Sequence, residues 1–401
     1  MKMSRARASR RAVAVTAAVA FALTIAGCST GAPTAETTAG AGGPELEAFA
    51  QKAQDAVAAA LATQVEAVPT DSPAVVTGKS VVIVAPGGSS QEGAYRLSLA
   101  AQDAAQALGW DITYINANTD VAQMNAAVQK AIAIGADGVI TLSIDASVVQ
   151  SALEQAHDAG IKLVGVAAAN TEGETGVYDA LVPNVGLGEA DGYLMGQQAY
   201  VKTDGHIRAI DMSAQGYGYI DARERGWNKF FEDCQAVGGD CVIEQTAKFS
   251  AAEIVTSLPQ LTASTVRSHP DWNVLWSGFD SGISFMEQGI VQAGLEKDGA
   301  IAVGFDGNSP NLEEIRKGGF QVTTMGLPTV CLGYAAVDNL NRLFADAPLA
   351  DGSKTGCESK LLDASNVPAS GPWWGDVDLR PTYWENWGVE TPENPSNVED
   401  L

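Results

Sequence analysis

The stretch SVVIVAP, Ser80–Pro86, sets the frame for the whole chain. It is an unbroken apolar, β-branched run with no polar alternation, the pattern of a strand covered on both faces, and a proline closes it. Downstream, AYRLSLAAQDAAQALG (Ala94–Gly109) has helical spacing and a terminal glycine. DITYINA (Asp111–Ala117) is again strand-like, and DVAQMNAAVQKAIAIG (Asp120–Gly135) again a glycine-ended helix. DGVITLSI, SVVQSALEQAHDAG and KLVGVAAA (Lys162–Ala169) extend the series. Strand and helix alternate about every 25–30 residues, which predicts a parallel sheet with helices on both faces.

The rhythm restarts after a loop at 170–174. IRAIDM (Ile207–Met212), RERGWNKFFEDC, CVIEQT, NVLWSGF (Asn273–Phe279), GISFMEQGIVQAG, AIAVGFD (Ala300–Asp306), NLEEIRKGG and FQVTTMG form a second α/β unit. A helix over Thr329–Phe344 and a short strand near Leu361–Leu362 follow. The fold class is therefore α/β, with two Rossmann-like lobes and a cleft between them. Parallel sheets offer ligand sites outside the carboxyl ends of their strands, so both lobes can present loops to that cleft.

Upstream, Lys2, Arg5, Arg7, Arg10 and Arg11 precede an apolar segment, Ala12 to Ile25, too short to span a bilayer. This is the layout of an export signal over residues 1–27. Its end, Leu23-Thr24-Ile25-Ala26-Gly27-Cys28, resembles the bacterial lipobox, which implies cleavage before Cys28 and a lipid on its thiol. Residues 28–43 contain no large apolar side chain and read as a flexible tether. In the segment 44–77, Leu46, Phe49, Ala53, Val57 and Leu61 fall on one helical face, so a leading amphipathic helix and a linker are expected.

With 48 acidic against 24 basic residues the chain carries a formal charge of −24, which disfavours nucleic acid and anionic lipid as partners. Four cysteines follow Cys28: Cys234, Cys241, Cys331 and Cys357. In an exported chain an even number without metal-ligand spacing points to disulfides; of three connectivities, proximity favours Cys234–Cys241 and Cys331–Cys357.

Several motifs carry no chemistry. Thr77-Gly78-Lys79-Ser80 has Pro73 where a phosphate loop needs glycine, and Gly186-Leu187-Gly188-Glu189-Ala190-Asp191 ends in Asp without a preceding strand. His157, His206 and His269 are scattered, so no metal is expected. GGSSQEG (Gly87–Gly93) offers hydroxyls without a base. No catalytic residues and no cofactor are expected, and the chain does not read as an enzyme.

Polar and aromatic residues after strands do stand out. Asp306 follows AIAV, where a carboxylate can accept two hydroxyl hydrogen bonds; Arg225 can donate from a fork; Phe249 can cover an apolar sugar face. At these places the chain resembles the type I periplasmic binding proteins of the ribose/galactose/xylose kind, the substrate-binding components of ABC importers. The resemblance runs from about Lys79 to Asp363 and is carried by ARERGWNKFF (Ala222–Phe231), AKFSAAEIV (Ala247–Val255) and VGFDGNSPNLEEIRKG (Val303–Gly318). It implies that Arg225, with Lys229 and Phe230 downstream, grips a sugar, that Phe249 stacks on it, and that Asp306 accepts its hydroxyls. It also implies three crossings between lobes, near Val182–Pro183, Gly326–Leu327 and Leu362–Asp363. The lobes would then comprise 78–182 plus 327–362, and 183–326 plus 363–401 with its Trp-rich tail.

The departures from that family are informative. Ala167-Ala168-Ala169-Asn170 stands where ribose binders carry Asp-Arg, leaving Asn170 as the polar candidate. Phe279-Asp280 stands for Asn-Asp, and Gly326 for a glutamine. Gln91 occupies a first loop that lacks its usual aromatics, and Tyr219 completes the expected ligand set. These changes argue against ribose and for another small carbohydrate or polyol. The expected partners are that ligand, ABC permease subunits and, through the N-terminal lipid, the outer face of the cell membrane; a monomer is expected. The alternative is a sensor that presents the same closed fold to a membrane receptor. Cys28→Ser should abolish labelling by radioactive fatty acid; a variant that still labels would refute lipidation at this residue.

Overall fold

A computed structural model describes residues 43–64, 70–170, 176–183, 185–350, 355–393 and 395–401. Cys28, with the signal and the rest of its tether up to residue 42, lies outside the described residues. The chain opens with helix α1 (Pro44–Ala62). The first sheet has the order β2-β1-β3-β4-β5, from β1 (Ser80–Ala85), β2 (Asp111–Asn116), β3 (Gly138–Leu142), β4 (Lys162–Val166) and β5 (Ala180–Val182), all pairs parallel. Residues Val81 to Ala85 have no solvent exposure, as expected for a strand without polar alternation. Helices α2 (Glu92–Ala107), α3 (Val121–Ile134) and α4 (Ala146–Asp158) connect these strands.

The second sheet runs β11-β10-β9-β8-β6-β7. Its strands are β6 (His206–Gln215), β7 (Asp240–Ser250), β8 (Val274–Ser277), β9 (Ile301–Asp306), β10 (Gln321–Gly326) and β11 (Lys360–Asp363), the last pairing antiparallel with β10. Its helices are α5 (Val185–Lys202), α6 (Gly218–Ala236), α7 (Leu258–Ser268), α8 (Asp280–Gln292) and α9 (Ser309–Lys317), while α10 (Thr329–Phe344) returns to pack on the first lobe. In each sheet the order reverses beside the first strand, and the loops leaving the carboxyl ends meet in one cleft.

Two features of the lobe boundaries are corrected. Strand β11 belongs to the second sheet, so the chain has crossed back before Leu362, not at Leu362–Asp363. The tail beyond Trp373 does not join the second lobe. Helix α11 (Arg380–Trp387) places Tyr383, Trp384 and Trp387 in the first lobe's core, beside Tyr334 of α10 and Leu401. Trp373 remains with Leu312, Ile315 and Leu362 of the second lobe, so the chain makes a further crossing after it. The leading helix α1 packs on the second lobe, where Phe49 meets Tyr200 and Phe230 with ring centroids 5.6 and 5.4 Å apart. Both expected disulfides are formed: Cys234–Cys241 joins α6 to β7, and Cys331–Cys357 ties α10 to the segment leading into β11.

The tail is anchored by one residue above others. The Trp387 ring is fully buried, stacks on Tyr334 at 5.7 Å, and donates from Nε1 to Asp338 Oδ1 at 2.8 Å. Its carbonyl accepts from Val75 N at 3.0 Å, so the segment entering the first lobe and the one ending the chain share α10 as a platform. Trp387→Ala should lower the unfolding free energy by about 3–5 kcal/mol in urea titration. A loss below about 1 kcal/mol would mean that the tail does not pack as described.

Candidate functional site: the interlobe cleft

A buried carboxyl lies behind the cleft wall. Asp280, at the start of α8, has no solvent exposure. Its Oδ2 accepts from the main-chain N–H of Gly307 at 3.0 Å and Asn308 at 3.2 Å. Its Oδ1 accepts from Gln321 Nε2 at 2.7 Å, and Thr324 Oγ1 lies 3.0 Å from both oxygens. Desolvation, reinforced by the charge of Asp306, pushes this carboxyl up to about 8. Asp280 therefore does not line the cleft as expected; it fixes the loop that presents Asp306.

Asp306 sits at the end of β9 with φ 109°, a conformation strained for a non-glycine residue. Ser143 (φ 49°) and Ala167 (φ 47°), at the ends of β3 and β4, also have positive φ and also line the cleft. Such strain costs on the order of 1–3 kcal/mol per residue and persists only where neighbours over-determine the backbone. Three of the seven such residues among those described stand at strand ends that face the cavity.

Arg223, not Arg225, meets Asp306. Arg223 is 2% exposed, and its guanidinium donates from Nη1 to Asp306 Oδ1 at 3.1 Å and to the Gly278 carbonyl at 2.7 Å. It lies between two rings, 4.5 Å from the Phe305 centroid and 5.0 Å from that of Tyr219. Arg225 points outward, pairs with Glu189 at 2.9 Å and has a side chain 54% exposed. The reason is helical period: two positions along α6 turn a side chain by about 200°. Arg223 shares the inward face with Tyr219, Gly226, Trp227 and Phe230, a signal that was present in the sequence. Lys229 likewise faces outward, pairing with Asp233, and Phe230 is core.

Two other expected contacts are also displaced. Phe249 is buried in the second lobe's core, its ring 6.2 Å from that of Phe279, and of these two phenylalanines only Phe279 reaches the cavity. Asn170 is absent from the wall; its Oδ1 accepts from Tyr178 N at 3.1 Å. Gln91, Tyr219, Phe279 and Asp306 do line the cleft. The first lobe adds Leu97, Ser143 and Ala167, the second adds Tyr217, Ile220, Ile254 and Ser281, and Leu327 contributes from the crossing between them. The apolar members escaped notice because a lining isoleucine and a core isoleucine look alike in sequence.

The lobes are in contact across the cleft. Glu92 Oε1 accepts from Ser309 N at 2.9 Å and Ser309 Oγ at 3.0 Å, and Asp145 accepts from the N–H of Gly218. A Cβ on Gly218 would lie 2.6 Å from Ala169 Cβ, and one on Gly93 would lie 3.0 Å from Asp306 Oδ2, so both glycines permit this approach. Behind the site, Arg96 of the first lobe donates to the Trp373 carbonyl at 3.2 Å and to the Leu401 carbonyl at 3.1 Å. Its burial lowers it to about 10, still a cation at neutral pH. Gly326 replaces the expected glutamine because Trp373 fills that space: a Cβ there would lie 2.5 Å from the indole.

A family model described as a periplasmic binding protein domain matches residues 81–347. The chain belongs to this family. Among solved structures, this periplasmic binding protein is similar to a galactofuranose binding protein (16% identity, TM-score 0.61, covering 72% of this chain and 95% of that one). It is also similar to the periplasmic component of the arabinose ABC transporter from Shewanella sp. ANA-3 bound to α- and β-L-arabinofuranose (17%, 0.61, 77% and 95%). A third is a carbohydrate transporter from Acidothermus cellulolyticus 11B in complex with myo-inositol (19%, 0.58, 72% and 95%). At these identities the likeness concerns the fold: two α/β lobes around a cleft, in a family of binding proteins.

The electrostatics give the site a pH response. Desolvation pushes the Asp306 carboxyl up from 3.8 to about 6, against the pull of Arg223 and Arg96. Above that value it is an anion that can accept hydroxyl hydrogen bonds; below it, that capacity and the ion pair weaken. Affinity for a neutral hydroxylated ligand should therefore fall about ten-fold between pH 7 and pH 5 in calorimetric titration, and Asp306→Asn should flatten the profile. For unliganded folding the sign is opposite: a raised carboxyl contributes stability below its unfolded value, which is lost as pH rises through about 6. Unchanged affinity between the two pH values in the wild type would remove Asp306 from the ligand contacts.

Proposed function

We propose that this protein captures a small neutral carbohydrate or polyol between its lobes and delivers it to an ABC importer. In this reading it works at the extracytoplasmic face of the cell membrane, held there by a lipid on Cys28. The observation that carries the proposal is the buried Arg223–Asp306 pair at the carboxyl ends of the second lobe's strands. The pair is internally neutral, so it favours an uncharged ligand, yet it offers both donors and acceptors to hydroxyl groups. Gln91, Ser143 and Ser281 add neutral polar groups to the wall, and Phe279 adds an aromatic face. The molecules named with the three similar structures, two sugars and a cyclic polyol, are all uncharged and hydroxyl-rich, which supports the same ligand class.

The test is calorimetric titration with a panel of monosaccharides and polyols. Arg223→Ala should weaken binding by about 10–150-fold, the loss of a hydrogen bond to a charged group worth about 1.5–3 kcal/mol. Arg225→Ala should leave affinity unchanged. Equal affinity in wild type and Arg223→Ala would place the ligand elsewhere.

A further inference from the structure

We propose that the ligand ends in a methyl group where a fully hydroxylated sugar ends in a hydroxyl: a 6-deoxy sugar, with CH3 in place of CH2OH, or a methyl glycoside, with OCH3 in place of OH. The inference rests on the carbohydrate reading of the cleft and concerns how its wall divides. The polar side chains on the wall, tyrosines aside, are Gln91, Ser143, Arg223, Ser281 and Asp306. Two already have partners: Arg223 is paired with Asp306, and Ser281 Oγ receives Asn308 Nδ2 at 3.1 Å.

The remaining wall is aliphatic or aromatic, from Leu97, Ala167, Ile220, Ile254, Phe279 and Leu327. It is apolar where the resembling sugar binders are polar. Ala167 lies in the stretch that replaces Asp-Arg, and Phe279 stands at the asparagine position. A hydroxyl turned onto the side chains of Ile220, Ile254 or Phe279 would leave water for a surface that offers it no polar atom, which is costly. A methyl group there gains burial instead. The cleft thus keeps a polar pole at Arg223 and Asp306 for hydroxyls and offers an apolar wall to a substituent that has none.

The test compares matched pairs by calorimetric titration on the exported chain without its signal: D-fucose against D-galactose, L-rhamnose against L-mannose, and methyl β-D-glucopyranoside against D-glucose. In a pair that binds, the methyl-bearing member should be tighter by about 10–100-fold. The deoxy and glycoside arms distinguish a ring-carbon methyl from a glycosidic one. Phe279→Asn restores an amide and supplies a favourable cap for α8, so it should preserve the fold and bring the ratio toward one. Equal or tighter binding of the hydroxylated member in every pair that binds would overturn this inference and leave the carbohydrate reading standing. Absence of binding by every sugar at millimolar concentration would overturn both.

Discussion

The ion pair between Arg223 and Asp306 is the constraint on which the rest of the site depends. Two charges withdrawn from water cost several kcal/mol each in desolvation, and their attraction offsets this only with good geometry and further hydrogen bonds. The chain supplies both. The Gly278 carbonyl takes a second bond from the guanidinium, two rings flank it, and Asp280 clamps the loop that carries Asp306. Asp280 is itself costly to bury, which is why Gln321, Thr324 and two main-chain amides converge on it. The energy spent on these groups leaves a rigid, internally neutral surface aimed at the opposite lobe.

That surface acts only if the lobes meet, and the chain ties them by more routes than the three crossings that the family resemblance implies. Helix α1 lies on the second lobe while the segment after it runs onto α10 of the first. Strand β11 returns to the second sheet, and the tail then passes Trp373 and closes on the first lobe through Trp387. Arg96 joins these parts: a first-lobe cation close enough to act on Asp306 through space, and bonded to carbonyls of the tail. The Trp-rich tail is thus part of the scaffold that fixes how the lobes sit around the cleft.

The lobes, their strand–helix alternation and both cysteine pairings were legible in the sequence, because buried parallel strands and glycine-ended helices leave local signals. Asp306, Gln91, Phe279 and Tyr219 were legible as residues beside strand ends. The arginine was not placed correctly, since a motif marks a neighbourhood while helical phase decides which side chain turns inward. Phe249 and Asp280 were misplaced for a related reason: both lie near strand ends, but sequence does not separate a wall from what stands behind it. The tail's return to the first lobe depends on long-range packing of Trp387 on Tyr334, for which no local pattern exists.

The most direct test of the central claim is a crystal structure of the protein with a bound saccharide. The account predicts ligand hydroxyls within hydrogen-bond distance of both Arg223 and Asp306, with side chains of the two lobes touching the same molecule. A sugar held by one lobe alone, or seated beside Arg225 on the outer face of α6, would contradict it.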